Sequence, residues 1–511
     1  MVPPAPPPPA PAQAAPAAPA PPPPEAAAAE PYAREFGDPD AGVDGNPVAG
    51  YHGDRFYLRD RYDYFRVYVG GRLHLDEYNY FGNGVSSTAL KSTFLLRRAR
   101  VELGGEVWGH WQWLVQAEFA PTAFDNADGK NEQYAAPVGK DPTADTARYA
   151  SVQTVRYRAQ PVQVYANYEA SPLLNIQVGQ FNVPFTMENR TSTNTITFLD
   201  RSLPVRDWAM PEIRDLGVSL WGNLDKRVLS YAIGFFNGDG SNRPNADNRF
   251  MGAGRVYTRP LAKSKGPLDK LQIGGSLLYA MHDKSRVAYD VDSMSTQSGY
   301  TFWSPTYTDS LGRREHIIPS GASMGFAGEL RVPFRQLDLR SEFVYMKNNT
   351  REGVDGYQLD YTERFGTMKG YGYYVQLSYW LLGSPKVIGD PGDQGPPKVD
   401  LNKPDAGIPL QGLELAVKWE QLKVSYESAA RDGSVDKKNV DGDIRVNTVS
   451  AGVNYWASKH LRLSVDYGLA MFPDSAIKTT STQRAQAPGN TVGKDDAHSL
   501  HELSARVGIS F

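Results

Sequence analysis

Residues 94–103 read FLLRRARVEL, a strand-like run in which three arginines interrupt apolar side chains. In a soluble core strand those guanidinium groups would be buried at heavy cost, because a desolvated charge without a partner is strongly unfavourable. The alternation offers another solution. Leu95, Ala99, Val101 and Leu103 share one face, while Arg98, Arg100 and Glu102 share the other. A strand with one face against lipid and one against water buries the first set and solvates the second. Arg97 falls on the lipid parity. It is tolerated there only near an interface, with its stem snorkelling, or at a bulge that turns it inward.

The same sorting recurs along the chain. Phe65, Val67, Val69, Leu73 and Leu75 oppose Arg66, Tyr68, Arg72, His74 and Asp76. Trp111, Trp113, Val115, Ala117 and Phe119 oppose Gln112, Gln116 and Glu118. At the far end Leu503, Ala505, Val507, Ile509 and Phe511 oppose Glu502, Ser504, Arg506 and Ser510. Roughly sixteen such segments follow one another from Phe65 onward, each showing the period of two that marks a two-faced strand. Two irregularities interrupt the alternation: one predicts a bulge, or a loop above the membrane, before Pro161, and a parity flip near Glu420 predicts another bulge. Connections alternate between short, as at 335–336 and 458–459, and long, as at 120–153, 184–214, 282–320 and 471–499. Short turns on one side and long loops on the other are the habit of an outer-membrane β-barrel. The Pro/Gly-rich segment 382–411 falls on the short-turn side, so either it folds inward or the strand count is wrong.

Composition removes several alternatives. The 511 residues carry 54 Lys+Arg against 57 Asp+Glu, a formal net charge of −3, which is no polycation signature for nucleic acid. With no cysteine, disulfides, thiolate zinc sites and cysteine nucleophiles are excluded. No apolar run approaches the roughly 18 residues of a transmembrane helix. Residues 1–50 open with a run of nearly pure Pro and Ala, a composition that favours an extended spacer over a core and predicts a disordered N-terminal tail; residues 51–511 are expected to form the barrel. The N-terminus lacks the basic and leucine-rich regions of a secretory signal, so either a signal has been removed or the chain is not exported.

A soluble β-sandwich or propeller also alternates. Three features favour the membrane barrel: charge of both signs on nearly every polar face, aromatics towards strand ends, and a final strand, LSARVGISF, that ends in Phe. Such an ending resembles the signal read by the outer-membrane assembly machinery. Three stretches, LLRRARVELGGEVWGHWQWLVQAEFA (95–120), YANYEASPLLNIQVGQFNVPFTMENRTSTNTITFLDRSLPV (165–205) and GVNYWASKHLRLSVDYGLAMF with LSARVGISF, resemble the phosphate-selective porins (O/P) of Gram-negative outer membranes. The resemblance implies a sixteen-stranded barrel, usually trimeric, with loops folded into the lumen and basic side chains guiding phosphate or polyphosphate. It carries over the paired arginine of the RRAR strand, Arg97 and Arg98, with Arg100 following.

Parity places Arg66, Arg72, Arg98, Arg100, Arg331, Arg340, Arg462 and Arg506 on the lumen face, with Arg255 on a strand whose apolar face is weak. Guanidinium groups hold phosphate through planar paired donors and stay charged, so an inward row of them is an anion ladder. The plainer alternative for each is a charge paired with a neighbouring carboxylate. Residues 183–215, apolar in patches and carrying Arg190, Arg201, Arg206 and Arg214, predict a loop tucked into the barrel as its constriction, since an apolar loop in water is costly. Enzyme readings find little support. His74 beside Asp76, and His498 with His501, lack a second cluster at metal-ligand spacing, and NGDGSNRPNADN (237–248) lacks the ligand spacing of a calcium loop. The expectation is a non-enzymatic porin without metal or cofactor, homotrimeric in the outer-membrane lipid of a Gram-negative bacterium, passing small anions such as phosphate or oligophosphate. A weakly selective general porin and a structural or adhesive barrel are the alternatives.

Overall fold

The computed structural model describes residues 42, 44–53, 55–81, 92–120, 159–210, 212–283, 286–299, 301–303, 305–308, 314–354, 364–392, 395–396, 398–401, 411–430, 440–474 and 499–511. Most of the tail expected at 1–50 lies outside them, as does His498. Alternating segments become strands because each pairs with both neighbours, leaving no backbone donor or acceptor open to lipid. Eight come from the first half of the chain: β1 (Phe65–Phe81), β2 (Thr93–Val107), β3 (Trp111–Glu118), β4 (Gln160–Ser171), β5 (Leu174–Asn182), β6 (Arg214–Leu224), β7 (Leu229–Phe236) and β8 (Met251–Thr258). Eight more follow: β9 (Gln272–His282), β10 (Arg314–Phe334), β11 (Leu337–Val354), β12 (Arg364–Leu382), β13 (Gly412–Ala430), β14 (Val440–Trp456), β15 (Leu461–Asp474) and β16 (Ser499–Ser510). All neighbours are antiparallel, and β16 pairs back onto β1 from His501↔Phe81 to Ser510↔Arg72, closing a 16-stranded barrel. Phe511 locks that seam. Its backbone exchanges hydrogen bonds of 2.8 and 3.1 Å with Gly71, and its ring lies 2.6 Å from where a Cβ on Gly71 would stand.

The outer face is apolar and banded. Tyr345, Phe326, Phe343, Tyr371, Tyr373 and Trp419 form ring contacts towards the long-loop side, among them Phe326–Tyr345 at 5.3 Å. Phe334, Tyr379, Tyr455 and Phe511 are exposed towards the short-turn side. These are the two aromatic girdles of a membrane barrel.

Strands β10 to β14 run 17 to 21 residues, well beyond the roughly 9–11 that cross a bilayer. Their surplus explains the flip near Glu420. Register runs unbroken through Tyr374↔Glu420 and Glu420↔Thr448, so the expected bulge is absent. Beyond Glu420 the outward residues become Gln421, Lys423 and Ser425, while Leu422, Val424 and Tyr426 turn inward and are buried. The strand has left the lipid, and its inner face now packs on loops inside the barrel. The hydrophobic core therefore lies within the long-loop half, where Leu422, Val424, Val344 and Met346 meet Phe185, Leu203 and Trp208. Each such side chain contributes about 1.5–3 kcal/mol by its removal from water.

Register shifts interrupt several strand pairs among the described residues, and two of them bear on the sequence reading. His74 pairs with Arg98 and Leu75 with Leu96, which makes Arg97 the extra residue in β2. Parity reverses there: Leu95 comes to face Asp76 on the lumen side, and Leu96, not Leu95 as alternation predicts, joins Leu75 on the lipid side. The second bulge falls one residue after Pro161, at Val162, between Ala117↔Pro161 and Gln116↔Gln163.

The short-turn side holds Arg335–Gln336 as expected, and of the segment 382–411 the described residues 383–392 and 398–401 fold inward. Behind a short turn at Pro385–Val387, buried against Trp380 and Trp456, Asp390 ion-pairs with Arg259 and Lys270 at 2.8 Å and with Arg331 at 3.2 Å. Gly392 N–H donates to Thr191 Oγ1 at 2.7 Å, Lys398 pairs with Glu169, and Val399 N–H donates to the Tyr68 hydroxyl at 3.2 Å. The segment thus crosses from β12 and β13 to β1, and the strand count stands. A hairpin of Ala49–His52 and Arg55–Arg59 adds to the lower end of β1 through Phe56↔Val69; paired structure begins inside the residues assigned to the tail.

Candidate anion-binding site

The chain that leaves β5 at Asn182 turns into the barrel at once, with Val183 and Phe185 fully buried. Thr186 adopts a left-handed φ of 63°, and its hydroxyl accepts from Asn189 N–H, starting one helical turn at Met187–Arg190. A carboxylate on the opposite wall receives that turn. Glu342 of β11 accepts from Met187 N–H at 2.5 Å and Glu188 N–H at 2.8 Å. Further on, Asp466 of β15 accepts from Leu199 N–H at 2.7 Å, and Glu420 of β13 from Leu203 N–H at 2.8 Å. A π-helical turn at Pro204–Ala209 leads out towards β6. A second inward segment, described over 286–299 and 301–303, is held alike: Glu502 of β16 accepts from the Thr296 hydroxyl, and Gln297 donates to Asp466 at 3.1 Å. Lumen-facing carboxylates thus serve as acceptors for loop donors, a charge-assisted contact that fixes loop position.

The arginines then divide into two groups. In the first, each guanidinium meets a carboxylate: Arg66 with Asp63, Arg72 with Glu102, Arg97 with Asp200, Arg100 with Glu118 and Arg206 with Asp207. Arg331 and Arg340 share Asp338, Arg506 pairs with Asp76, and Arg255 with Glu329. Between the two groups stand Arg190, which donates to Asn182 O at 2.7 Å, and Arg462, which donates to the amide oxygens Asn454 Oδ1 and Ile196 O. In the second group are Arg98, Arg201 and Arg214, for which no carboxylate contact occurs among the described residues. The Arg201 guanidinium donates to backbone carbonyls, Glu188 O at 3.0 Å and Thr191 O at 2.9 Å. Arg98 Nε and Nη1, Arg214 Nε and Arg72 Nε are buried without a hydrogen-bond partner.

Loop and wall bring these groups together. Arg214 lies within electrostatic range of Arg100, Arg201, Arg72 and Arg98, and Arg98 within that of Arg97 and Arg100. Arg214, expected in the loop, is the first residue of β6. Arg97 reaches Asp200 of the loop at 2.8 Å because the bulge turns it inward. Burial pushes the Asp200 carboxyl up, but Arg97, Arg98 and Arg206 outweigh it and hold the group well below the usual range. Burial pushes Asp207 up to about 6 against the pull of Arg206, and it lowers Arg201 from its ordinary value.

Sequence parity missed Thr193, whose hydroxyl accepts from Arg72 Nη1 at 2.8 Å, and Asp200. It also missed the role of the wall carboxylates, whose only signal was an acidic residue on the inward parity. Residues 237–248 make their own turns: Asp239 accepts from Tyr289 and Ala246 N–H, and Asp247 from Arg249 and Asp283 N–H. No group of three or more metal-ligating side chains occurs among the described residues. His501 donates to or accepts from Tyr467 at 2.7 Å, and His74 is buried between Arg72 and Arg98. Chemically, the cluster of Arg72, Arg98, Arg100, Arg201 and Arg214 holds more buried donors than acceptors, an arrangement that an anion completes.

The family model for phosphate-selective porin O and P matches residues 67–487. Porin O of Pseudomonas aeruginosa is 21% identical over 424 residues, 79% of this chain and 82% of its own length. Among solved structures, the anion-selective porin of Comamonas acidovorans is 11% identical, with 88% of this chain and 100% of that one covered at a TM-score of 0.46. OmpT of Vibrio cholerae in its trimer form is 10% identical, with 88% and 100% covered at a TM-score of 0.45.

Proposed function

The chain belongs to the phosphate-selective porin O and P family and is an outer-membrane porin of a Gram-negative bacterium; from that premise we propose that it passes small anions, phosphate or oligophosphate, through an arginine-lined route at the cluster of Arg72, Arg98, Arg100, Arg201 and Arg214. One observation carries the reading: buried guanidinium donors on Arg98, Arg214 and Arg72 lack acceptors. A partly dehydrated phosphate supplies them. Its oxygens accept paired N–H bonds in the geometry that arginine presents, and like-charge repulsion within the cluster falls when the anion enters. Passage needs binding weak enough to leave, which successive arginines along the wall provide. Arg506, Arg462, Arg331 and Arg340 are the steps on either side, each softened by its own acceptor.

The net charge of −3 does not oppose this, because Glu342, Glu420, Asp466 and Glu502 are engaged by loop donors. The inward loop 183–213 acts as the constriction, and the close packing of the interior favours a narrow selective route over a wide general one. The assembly is a homotrimer embedded through its aromatic girdles in outer-membrane lipid. Planar-bilayer recording tests the proposal. In a potassium chloride gradient the zero-current potential takes the sign of anion preference, and added phosphate blocks the chloride current. Cation preference, or chloride current indifferent to phosphate, overturns it; a barrel without conductance would instead be structural.

A further inference from the structure

Between the inward loops and strands β8 to β11 lies a cavity of about 160 Å³ that the phosphate route does not explain. Its apolar wall is made by Trp208, Met210, Met251, Leu278, Met294 and Met346. Four methionines in one wall make an adaptable, polarizable surface of the kind that accommodates varied apolar shapes. An apolar cavity of about 150 Å³ is large enough to take a benzene ring.

Several carboxylates border the same space, and each has an engagement of its own. Asp207 is held by Arg206, Glu212 by Arg243 at 2.6 Å, and Asp215 by Gly238 N–H at 2.7 Å. Asp239 accepts from Tyr289, Asp290 pairs with His316 at 2.9 Å, and Asp292 likewise has a partner. Arg243 is committed to Glu212 and to the face of Tyr289, 4.4 Å away. Arg214 is different. It borders the cavity, is 9% exposed, and keeps a buried Nε without an acceptor.

We propose that this cavity is a binding subsite for an amphipathic organic anion, with an aromatic or branched apolar body among the methionines and a carboxylate at Arg214. The subsite shares Arg214 with the phosphate reading but draws its preference from the apolar wall, so the two fail separately. Benzoate and acetate carry the same head group, and only benzoate has a body to fill the wall.

The test titrates the chloride current of the full chain in planar bilayers with benzoate, acetate, benzylammonium and phosphate. Benzoate is expected to inhibit at a concentration at least about tenfold below acetate, the step that about 1.4 kcal/mol of added apolar burial gives. Ala280→Phe places a ring in the cavity that Ala280 lines; it should remove the benzoate preference and leave phosphate block unchanged. Equal inhibition by benzoate and acetate in the unaltered protein overturns the subsite whether or not the variant folds. Inhibition by benzylammonium below the benzoate concentration also overturns it, since the bordering carboxylates would then set the sign. Benzoate inhibition without phosphate block would support the subsite and sink the phosphate reading alone.

Discussion

Arg98 and Arg340 both point into the barrel and are equally buried at 6% exposure, yet they stand in opposite electrostatic situations. Arg340 rests on Asp338 at 2.7 Å, whereas Arg98 has no acceptor for Nε or Nη1 and is flanked by further arginines. Removing Arg98 therefore takes away a ligand and relieves repulsion. Arg98→Ala should weaken phosphate block by roughly 10- to 100-fold, the loss of one hydrogen bond to a charged group worth about 1.5–3 kcal/mol. Its thermal midpoint in detergent should not fall; a large loss of stability with block intact would make Arg98 structural. Asp207 supplies a pH response. Burial lifts its folded value to about 6, above the ordinary carboxyl, so the protonated form favours the folded loop and stability is gained as pH falls through that value. The same protonation removes a negative charge beside Arg206 and Asp200. Anion preference should therefore rise between about pH 7 and about pH 5, and Asp207→Asn should fix the channel in its low-pH state. A reversal potential equally pH-dependent in both proteins would locate the titrating group elsewhere.

The strands were legible one at a time because a period of two is a local property. FLLRRARVEL already demanded lipid on one side and water on the other, and the structure differs only at Arg97, where the bulge shifts Leu95 inward. What lay hidden was the partner of each inward face. Leu422, Val424 and Tyr426 look like a register error in sequence, since nothing local tells that loops 183–213 and 286–303 fill the interior beside them. The loop arginines were likewise visible, but Arg190 and Arg206 turn to local acceptors, whereas Arg201, and Arg214 at the start of β6, join the cluster. Loop position depends on long-range anchors, and Glu342 is the one that holds two loop N–H groups. Glu342→Gln leaves only one oxygen to accept and removes the charge, so it should cost about 1–3 kcal/mol, read as a lower unfolding midpoint and faster proteolysis between Met187 and Arg201. Unchanged proteolysis would show that packing alone seats the loop. The inward turn at 383–392 depends on Asp390 in the same way. Burial raises that carboxyl, but Arg259, Lys270 and Arg331 prevail and hold it far below the ordinary range. A depressed value means the contribution is complete above the unfolded value and lost only in strong acid. The turn should stay docked from about pH 5 to about pH 8, whereas Asp390→Asn should undock it at neutral pH and raise single-channel conductance. Conductance identical to the unaltered protein would mean that the turn does not narrow the route.

At the scale of the whole molecule, selectivity cannot follow net charge, which is −3, and must follow how charges are committed. Carboxylates on β11, β13, β15 and β16 are occupied by loop donors, while Arg214 and, within its electrostatic range, Arg72 and Arg98 keep buried guanidinium donors without acceptors. A chain that is weakly negative overall is thus locally positive at the cluster of Arg72, Arg98 and Arg214. The two sources respond differently to salt. Charges at the mouths act through solvent and are screened over a Debye length that shrinks from about 10 Å at 0.1 M to about 3 Å at 1 M, whereas buried groups are screened far less. Anion preference set by the buried cluster should therefore persist when potassium chloride is raised from about 0.1 M to about 1 M. The rate at which phosphate enters should change with salt, because long-range steering depends on ionic strength. The measurement is the zero-current potential at a fixed concentration ratio across that range, with the phosphate blocking rate recorded alongside. A preference that disappears at high salt would assign selectivity to the mouths and leave the buried arginines with a role in wall and loop structure only.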